Sequence, residues 1–253
     1  MAGHSHWSQI KRAKGAADVK RGQLFSKLSR EITVAAKMGG GDPSFNPRLR
    51  TAIQTAKAES MPAENIERAI KKGTGELEGV SYEELTYEGY GPAGVALLVE
   101  TLSDNRNRTA QQMRAIFTRG GGNLGATGAV SWMFKKKGWF RLEGGDEEKV
   151  MEATLDANPE DIAVQDGAVE VFCAPENYEL VEKSLKAAGL EPGQARLSLF
   201  AENLTPVADL STARQVLDLV EALEEHDDVQ RVHTNADISP ELVRQLSAGG
   251  LTP

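Results

Sequence analysis

The spacing of apolar residues changes character between residues 73 and 80, and that change divides the chain into a helical part and a mixed α+β part. Before it, apolar residues recur every three to four positions, as on a helix face. Leu24, Phe25, Leu28, Ile32, Ala35 and Ala36 cluster on one side of a helix expected over 18–38, with Lys20, Lys27, Arg30 and Lys37 roughly opposite. Asp18 is placed to cap its start, and Gly39-Gly40-Gly41 to stop it. Asn46 before Pro47 marks a second helix start, with Leu49, Ala52, Ile53 and Ala56 as its stripe. Pro62 opens a third, with Ile66, Ala69 and Ile70 inward and Lys71-Lys72-Gly73 as its end. Residues 1–17 are polar, basic and weakly periodic, and read as an arm.

After residue 80 the pattern is of short strands alternating with helices. Strands are expected over 85–90 and 95–102, then a helix over 105–119 capped by Ser103 or Asp104. The glycine-rich stretch 120–128, read as a mobile or specially shaped hairpin tip, leads into an apolar run over 129–134. A complete unit follows: strand 139–142, helix 146–157, strands 162–165 and 169–173 around Asp166-Gly167, helix 176–188 and strand 196–201. This βαββαβ order is that of a ferredoxin-like domain. A helix over 211–225 and a strand over 229–234 then complete a ββαβ…αβ set begun at residue 80. The expected fold is α+β and multidomain. A basic arm and three-helix domain occupy 1–79, an α/β sandwich-like domain 80–135 plus 206–238, and an inserted ferredoxin-like domain 136–205.

Charge is as segregated as periodicity. The chain has a net charge of −8, yet residues 1–40 hold eight Lys/Arg against two Asp/Glu, and residues 104–141 hold eight against one. Residues 142–253 hold seven basic groups against twenty-four acidic ones. Basic islands in an acidic chain attract polyanions by neutralising phosphates and releasing counterions, while the acidic remainder opposes indiscriminate coating. The candidate nucleic-acid-binding residues are therefore Lys11, Arg12, Lys14, Lys20, Arg21, Lys27, Arg30, Lys37, Arg106, Arg108, Lys135, Lys136 and Lys137. Trp7 offers a stacking platform beside the first group. Asn105-Arg106-Asn107-Arg108 opens a helix, where backbone N–H groups and the helix dipole favour an anion. The alternative there is local: Ser103 and Asp104 cap the helix and the arginines pair with acidic neighbours. The two basic stretches are expected to meet on one face.

Other chemistries lack their residues. The glycine-rich stretch is not followed by the Lys-Ser/Thr of a phosphate-binding loop. His4 and His6 are far in sequence from His226 and His233, and the single cysteine, Cys173, sits in an apolar run, so no metal site is read. No catalytic residue and no cofactor are expected. No run of about 18 apolar residues occurs and the N-terminus has no apolar signal core, so the expectation is a cytoplasmic protein without a membrane partner. An enzyme using clustered carboxylates, or a protein-interaction scaffold using the acidic half, remains an alternative.

The opening Met1-Ala2-Gly3-His4-Ser5-His6-Trp7, Ile10-Lys11 and Phe25-Ser26-Lys27-Leu28 resemble the YebC/PmpR family, which includes the mitochondrial translational activator of cytochrome oxidase subunit one. Asn46–Arg50, Asn65–Ile70, Tyr87–Pro92, Ser103–Thr109 and Gly121–Phe134 add to the resemblance, which is strongest over 1–134. It implies an N-terminal helical domain followed by two α/β domains, and a non-enzymatic regulator of gene expression. It implies either a DNA-binding transcriptional regulator or a ribosome-associated translation factor that contacts ribosomal RNA or tRNA and eases synthesis of proline-rich stretches. Lys11, Lys27, Arg106 and Arg108 fall within the matching motifs. Target, direction of regulation and oligomeric state are not legible.

Overall fold

The computed structural model describes residues 21–165 and 167–248. In chain order its elements are α1 (Arg21–Gly39), α2 (Pro47–Ala58), α3 (Ala63–Thr74), β1 (Glu83–Tyr90), β2 (Ala96–Ser103), α4 (Arg106–Arg119) and β3 (Asn123–Leu124). Then follow β4 (Phe134–Glu143), α5 (Glu147–Thr154), β5 (Asp161–Gln165), β6 (Ala168–Cys173), α6 (Tyr178–Ala187) and β7 (Gln194–Ala201). The described residues end with β8 (Thr205–Val207), α7 (Leu210–Glu224), β9 (Val229–Thr234), β10 (Ala236–Ile238) and α8 (Pro240–Ala248). The fold is a mixed α+β one with an N-terminal helical region and antiparallel sheets. Within the described residues there are two compact units, 21–129 with 211–232 and 130–210 with 233–248.

In the first unit, α1–α3 close on a core of small and aliphatic side chains: Ile32, Ala35, Ala36, Leu49, Ala52, Ala56, Met61, Ile66 and Ala69. Alanines contribute little buried area each, so these helices gain stability by close approach. Gly73 makes that approach possible, since a Cβ there would meet the Thr33 carbonyl oxygen at 2.4 Å. Asn46 ties α1 to α2. Its Oδ1 accepts from the Leu49 N–H (3.1 Å) as the α2 N-cap, while its Nδ2 donates to the carbonyls of Ala35 and Gly40 (both 2.8 Å) at the end of α1.

The sheet of this unit has the order β3-β1-β2-β9. β1 and β2 form an antiparallel hairpin from Glu83↔Ser103 to Tyr90↔Ala96. β2 is buried at every position except Glu100, as expected of an inner strand. α4 and α7 bring Met113, Ile116, Phe117, Val216, Leu219, Val220 and Leu223 into the interior. Two local expectations change. The α4 cap is Asn105, whose Oδ1 accepts from the Arg108 N–H (3.1 Å), and Ser103 Oγ instead accepts from Asn105 N–H (3.0 Å). The third strand is only Asn123–Leu124, because the run 129–134 turns through a 3-10 segment, Ser131–Met133, before β4.

The glycine-rich stretch is pinned to the end of β1. Leu124 pairs with Gly89, and the N–H groups of Gly125 and Gly128 donate to Glu88 O and Glu88 Oε1 (both 2.8 Å). Tyr90 donates its hydroxyl proton to the Ala129 carbonyl (3.0 Å). A Cβ on Gly122 would lie 2.5 Å from the Tyr90 carbonyl oxygen, and Gly121 and Gly128 take positive φ. Packing thus accounts for much of the glycine content.

The second unit realises the βαββαβ order as a four-stranded antiparallel sheet, β5-β6-β4-β7, the ferredoxin-like arrangement. Phe140, Leu142, Val150, Val169, Val171, Cys173, Val181 and Leu185 form the core between sheet and helices. Burial pushes the Cys173 thiol up to about 11, with help from Glu160, which makes it an inert packing residue. Trp139, Phe172 and Phe200 form a second buried cluster, and Arg141 pairs with Glu170 (2.7 Å) across β4 and β6. β4 begins at Phe134, earlier than expected, because Lys135, Lys136 and Lys137 pair with Phe200, Leu199 and Ser198 of β7. A sheet rung requires only backbone groups, so a charged run continues a strand where its side chains reach solvent.

Asn46→Ala removes one cap and two further hydrogen bonds, and is expected to cost about 2–3 kcal/mol in denaturant unfolding. Asn46→Asp keeps the acceptor but not the two donors, and is expected not to recover that loss.

Candidate nucleic-acid interface

The polar centre of the first unit is the Asp228 carboxylate, 2% exposed at the start of β9. Oδ2 accepts from Thr109 Oγ1 (2.7 Å), Arg108 Nη2 (2.9 Å) and Ser103 Oγ (3.1 Å); Oδ1 lies 3.2 Å from Arg30 Nη1. Its backbone is fixed too, since Leu102 N–H donates to Asp228 O (2.8 Å) and Asp228 N–H donates to His226 Nδ1 (3.1 Å). Burial alone would raise this carboxyl. The hydrogen bonds from Thr109 and Arg108, with the charges of Arg30 and Arg108, hold it below its usual value instead. One residue of each basic stretch, Arg30 on α1 and Arg108 on α4, therefore meets the other here, but on an internal anion.

This arrangement determines which candidate cations face solvent. Arg108 is also bound to Asp104 (2.6 Å). Arg30 further donates to the Asp227 carbonyl and lies 5.7 Å from the Tyr82 ring centre. Lys27 donates to the Glu224 carbonyl, and Lys37 to Ser81 Oγ (2.7 Å). Arg106 opens α4 with an exposed side chain, and its carbonyl accepts from the Tyr87 hydroxyl (3.4 Å). Asn107, Arg114 and Arg119 on the same helix are exposed as well. In the other unit Lys135 pairs with Glu202 (2.6 Å) and Lys137 with Glu160 (2.8 Å), while Lys136 is exposed. Trp7, Lys11, Arg12, Lys14 and Lys20 lie outside the described residues, as does the Arg21 side chain.

Sequence reasoning did not find Asp228, and it met Arg48 and Tyr87 only within the family motifs, with no role assigned. Arg48 joins Glu31 (2.9 Å) and Glu84, linking α2 to α1 and β1. Burial would lower its pKa, but the two carboxylates raise it. Among the described residues there is no cluster of His, Cys, Asp and Glu able to hold a metal, and no helix long and apolar enough to cross a membrane.

Residues 5–76 match the TACO1/YebC protein N-terminal domain, and residues 82–236 match the TACO1/YebC second and third domain. The chain belongs to the TACO1/YebC family. A Fusobacterium nucleatum relative called a "probable transcriptional regulatory protein" is 53% identical over 248 residues, covering 97% of this chain and all of that one. A Treponema pallidum relative of the same description is 55% identical over 245 residues, covering 96% of this chain and all of its own. The crystal structure of a conserved hypothetical protein from Aquifex aeolicus is similar at a TM-score of 0.81 and 46% identity, covering 92% of this chain and 97% of that one. Both bacterial relatives are thus described as probable transcriptional regulatory proteins.

Two groups in this centre make the unit sensitive to acid. His226 accepts at Nδ1, so its proton sits on Nε2 and points to Gln112 Oε1 (2.9 Å). Burial, with Lys27 and Arg108 nearby, lowers its pKa against the opposing charges of Asp228 and Asp227. A lowered folded pKa leaves its stabilisation intact above the unfolded value, about 6.5, and removes it as pH falls. Asp228 behaves alike around its unfolded value, about 3.9. Chemical denaturation is therefore expected to show stability declining in two acid steps, and Asp228→Asn should abolish the lower one. The same substitution should cost about 2–4 kcal/mol at neutral pH, less than a fully buried ion pair because Arg108 is 43% exposed.

Proposed function

We propose that the chain is a nucleic-acid-binding regulator of gene expression, in the first instance a DNA-binding transcriptional regulator as its relatives are described. The observation that carries this reading is the first turn of α4. Exposed Arg106 and Asn107 stand where free backbone N–H groups favour an anion, beside Arg108 and Arg30, which the Asp228 carboxylate holds in place. Such a surface places phosphates and leaves base identity to other contacts. The acidic composition of the second half keeps binding confined to the basic part.

The alternative is a ribosome-associated translation factor on ribosomal RNA or tRNA, and one observation favours it. If α2 and α3 acted as a helix-turn-helix, the first turns of α3 would meet base edges in the major groove. Those turns carry Glu64 and Glu67, both exposed, which would set two carboxylates between the phosphates that flank a duplex groove and so argue against that docking.

Lys11→Glu combined with Arg106→Glu is expected to weaken nucleic-acid binding roughly tenfold or more and to reduce the log–log salt slope by about 1 to 2. Fluorescence anisotropy against a salt series measures both quantities. Unchanged affinity and slope would remove α4 from the interface. Co-sedimentation with polysomes at moderate salt, set beside footprinting on genomic DNA, separates the two targets.

A further inference from the structure

The helical region carries a concave groove of about 780 Å³ between α1, α3 and the segment leading into β1. Its size is that of sites which enclose small ligands. Arg68 and Lys72, one helical turn apart on α3, line it, with Asn65 a turn earlier, Ser29 on α1, and Phe25 and Tyr82 as half-buried rings. Glu78 is the only acid among the described lining residues. Ser29, Asn65 and Lys72 make no side-chain hydrogen bond among the described residues. Among the described residues Arg68 is held only by Glu64 (2.9 Å), an exposed i,i+4 pair of the kind worth a few tenths of a kcal/mol, and so exchanges readily for a phosphate. The stem of Lys72 lies along Gly79, where an added Cβ would meet it at 3.2 Å, which holds the chain beside the groove.

We infer that this groove takes a single strand of nucleic acid, with a phosphodiester on Arg68 and Lys72 and a base against Tyr82 and Phe25. The inference rests on the nucleic-acid reading above and gives that reading a second contact, distinct from α4. A single strand fits because its bases are open to aromatic rings, whereas a duplex hides them in its stack. Duplex grooves are read by elements that protrude, and this surface is concave. The chain's own N-terminal residues are a poor occupant by charge, since Lys11, Arg12, Lys14 and Lys20 oppose a single Asp18. Ser29 and Asn65 add neutral donors suited to phosphate oxygens or base edges.

The test uses the full chain and four probes: short fluorescein-labelled oligouridylate, oligothymidylate, a DNA duplex and an RNA duplex. The variants are Arg68→Glu with Lys72→Glu, Tyr82→Leu, and Lys149→Glu with Lys186→Glu as a charge-matched control in the other unit. Circular dichroism checks folding of each. The α3 pair is expected to weaken single-strand binding roughly tenfold or more and to make the salt slope shallower by about 1 to 1.5. Tyr82→Leu is expected to weaken it about fivefold or more. Oligouridylate carrying 5-bromouracil should cross-link within residues 25–33 or 65–82.

If the wild-type chain binds none of the probes, the nucleic-acid reading fails and the groove with it. Should the wild type bind while the α3 pair and Tyr82→Leu leave single-strand affinity unchanged, the groove is wrong and the broader reading stands. Selective loss of duplex binding, an equal loss in the control, or competition by polyglutamate as strong as by oligouridylate would also overturn the single-strand assignment.

Discussion

A carboxylate with about 2% of its surface exposed stays ionised only if donors and cations surround it, and the first unit is organised around meeting that condition at Asp228. Four side chains answer it: Arg30 from α1, Ser103 from the end of β2, and Arg108 and Thr109 from α4. The helical region, the sheet and the helix that follows it are thereby referred to one point. Asp228 is not a binding residue on this account. It fixes the positions of residues that surround the proposed binding surface, and the low exposure of Arg30 and the partial exposure of Arg108 record how much of their charge it uses.

The elements legible in the sequence are those whose signals are local. Asn46-Pro47, the stripe Leu49, Ala52 and Ala56, and the end of α3 each lie within a few residues of the structure they specify, as does the βαββαβ order from residue 138 on. Asn105 was local too, but three polar residues in a row, Ser103, Asp104 and Asn105, offered competing caps, and the choice depended on Ser103 being drawn toward Asp228. Asp228 itself carried no signal, because its side-chain partners lie far along the chain, Arg108 and Thr109 at 120 and 119 positions and Ser103 at 125. The lysine run 135–137 misled by composition: charge marks solvent contact of side chains, while the strand is made by a backbone whose partner, β7, lies some sixty residues later. Lys72 was read only as a cation in the last turn of α3, and only tertiary structure shows the groove it shares with Arg68.

The glycine-rich stretch illustrates the same limit from the other side. Nine residues with five glycines read as flexible because glycine permits many conformations. Here several of those glycines serve close packing: Gly122 against the Tyr90 carbonyl, Gly120 against Leu219 and Gly125 against Ala129. Flexibility in the unfolded chain and fixity in the folded one come from the same missing side chain, so composition cannot separate them.

Charge segregation in the sequence becomes something narrower in the structure. Of the candidate cations on described residues, Arg30, Arg108, Lys135 and Lys137 are engaged with carboxylates of the chain itself. A polyanion gains counterion release only from cations that are not already neutralised, so the effective number of phosphate contacts is smaller than the count of lysines and arginines. Ion pairs at the surface, such as Arg68 with Glu64 or Lys135 with Glu202, exchange at little cost. The buried pairs at Asp228 do not, because releasing Arg108 or Arg30 to a phosphate would leave an uncompensated carboxylate in the interior. On the proposed reading, the salt dependence of binding reports on the exposed cations alone, Arg106, Lys136 and the α3 pair among them, and the internal anion limits how many cations of the basic stretches are free to meet a phosphate.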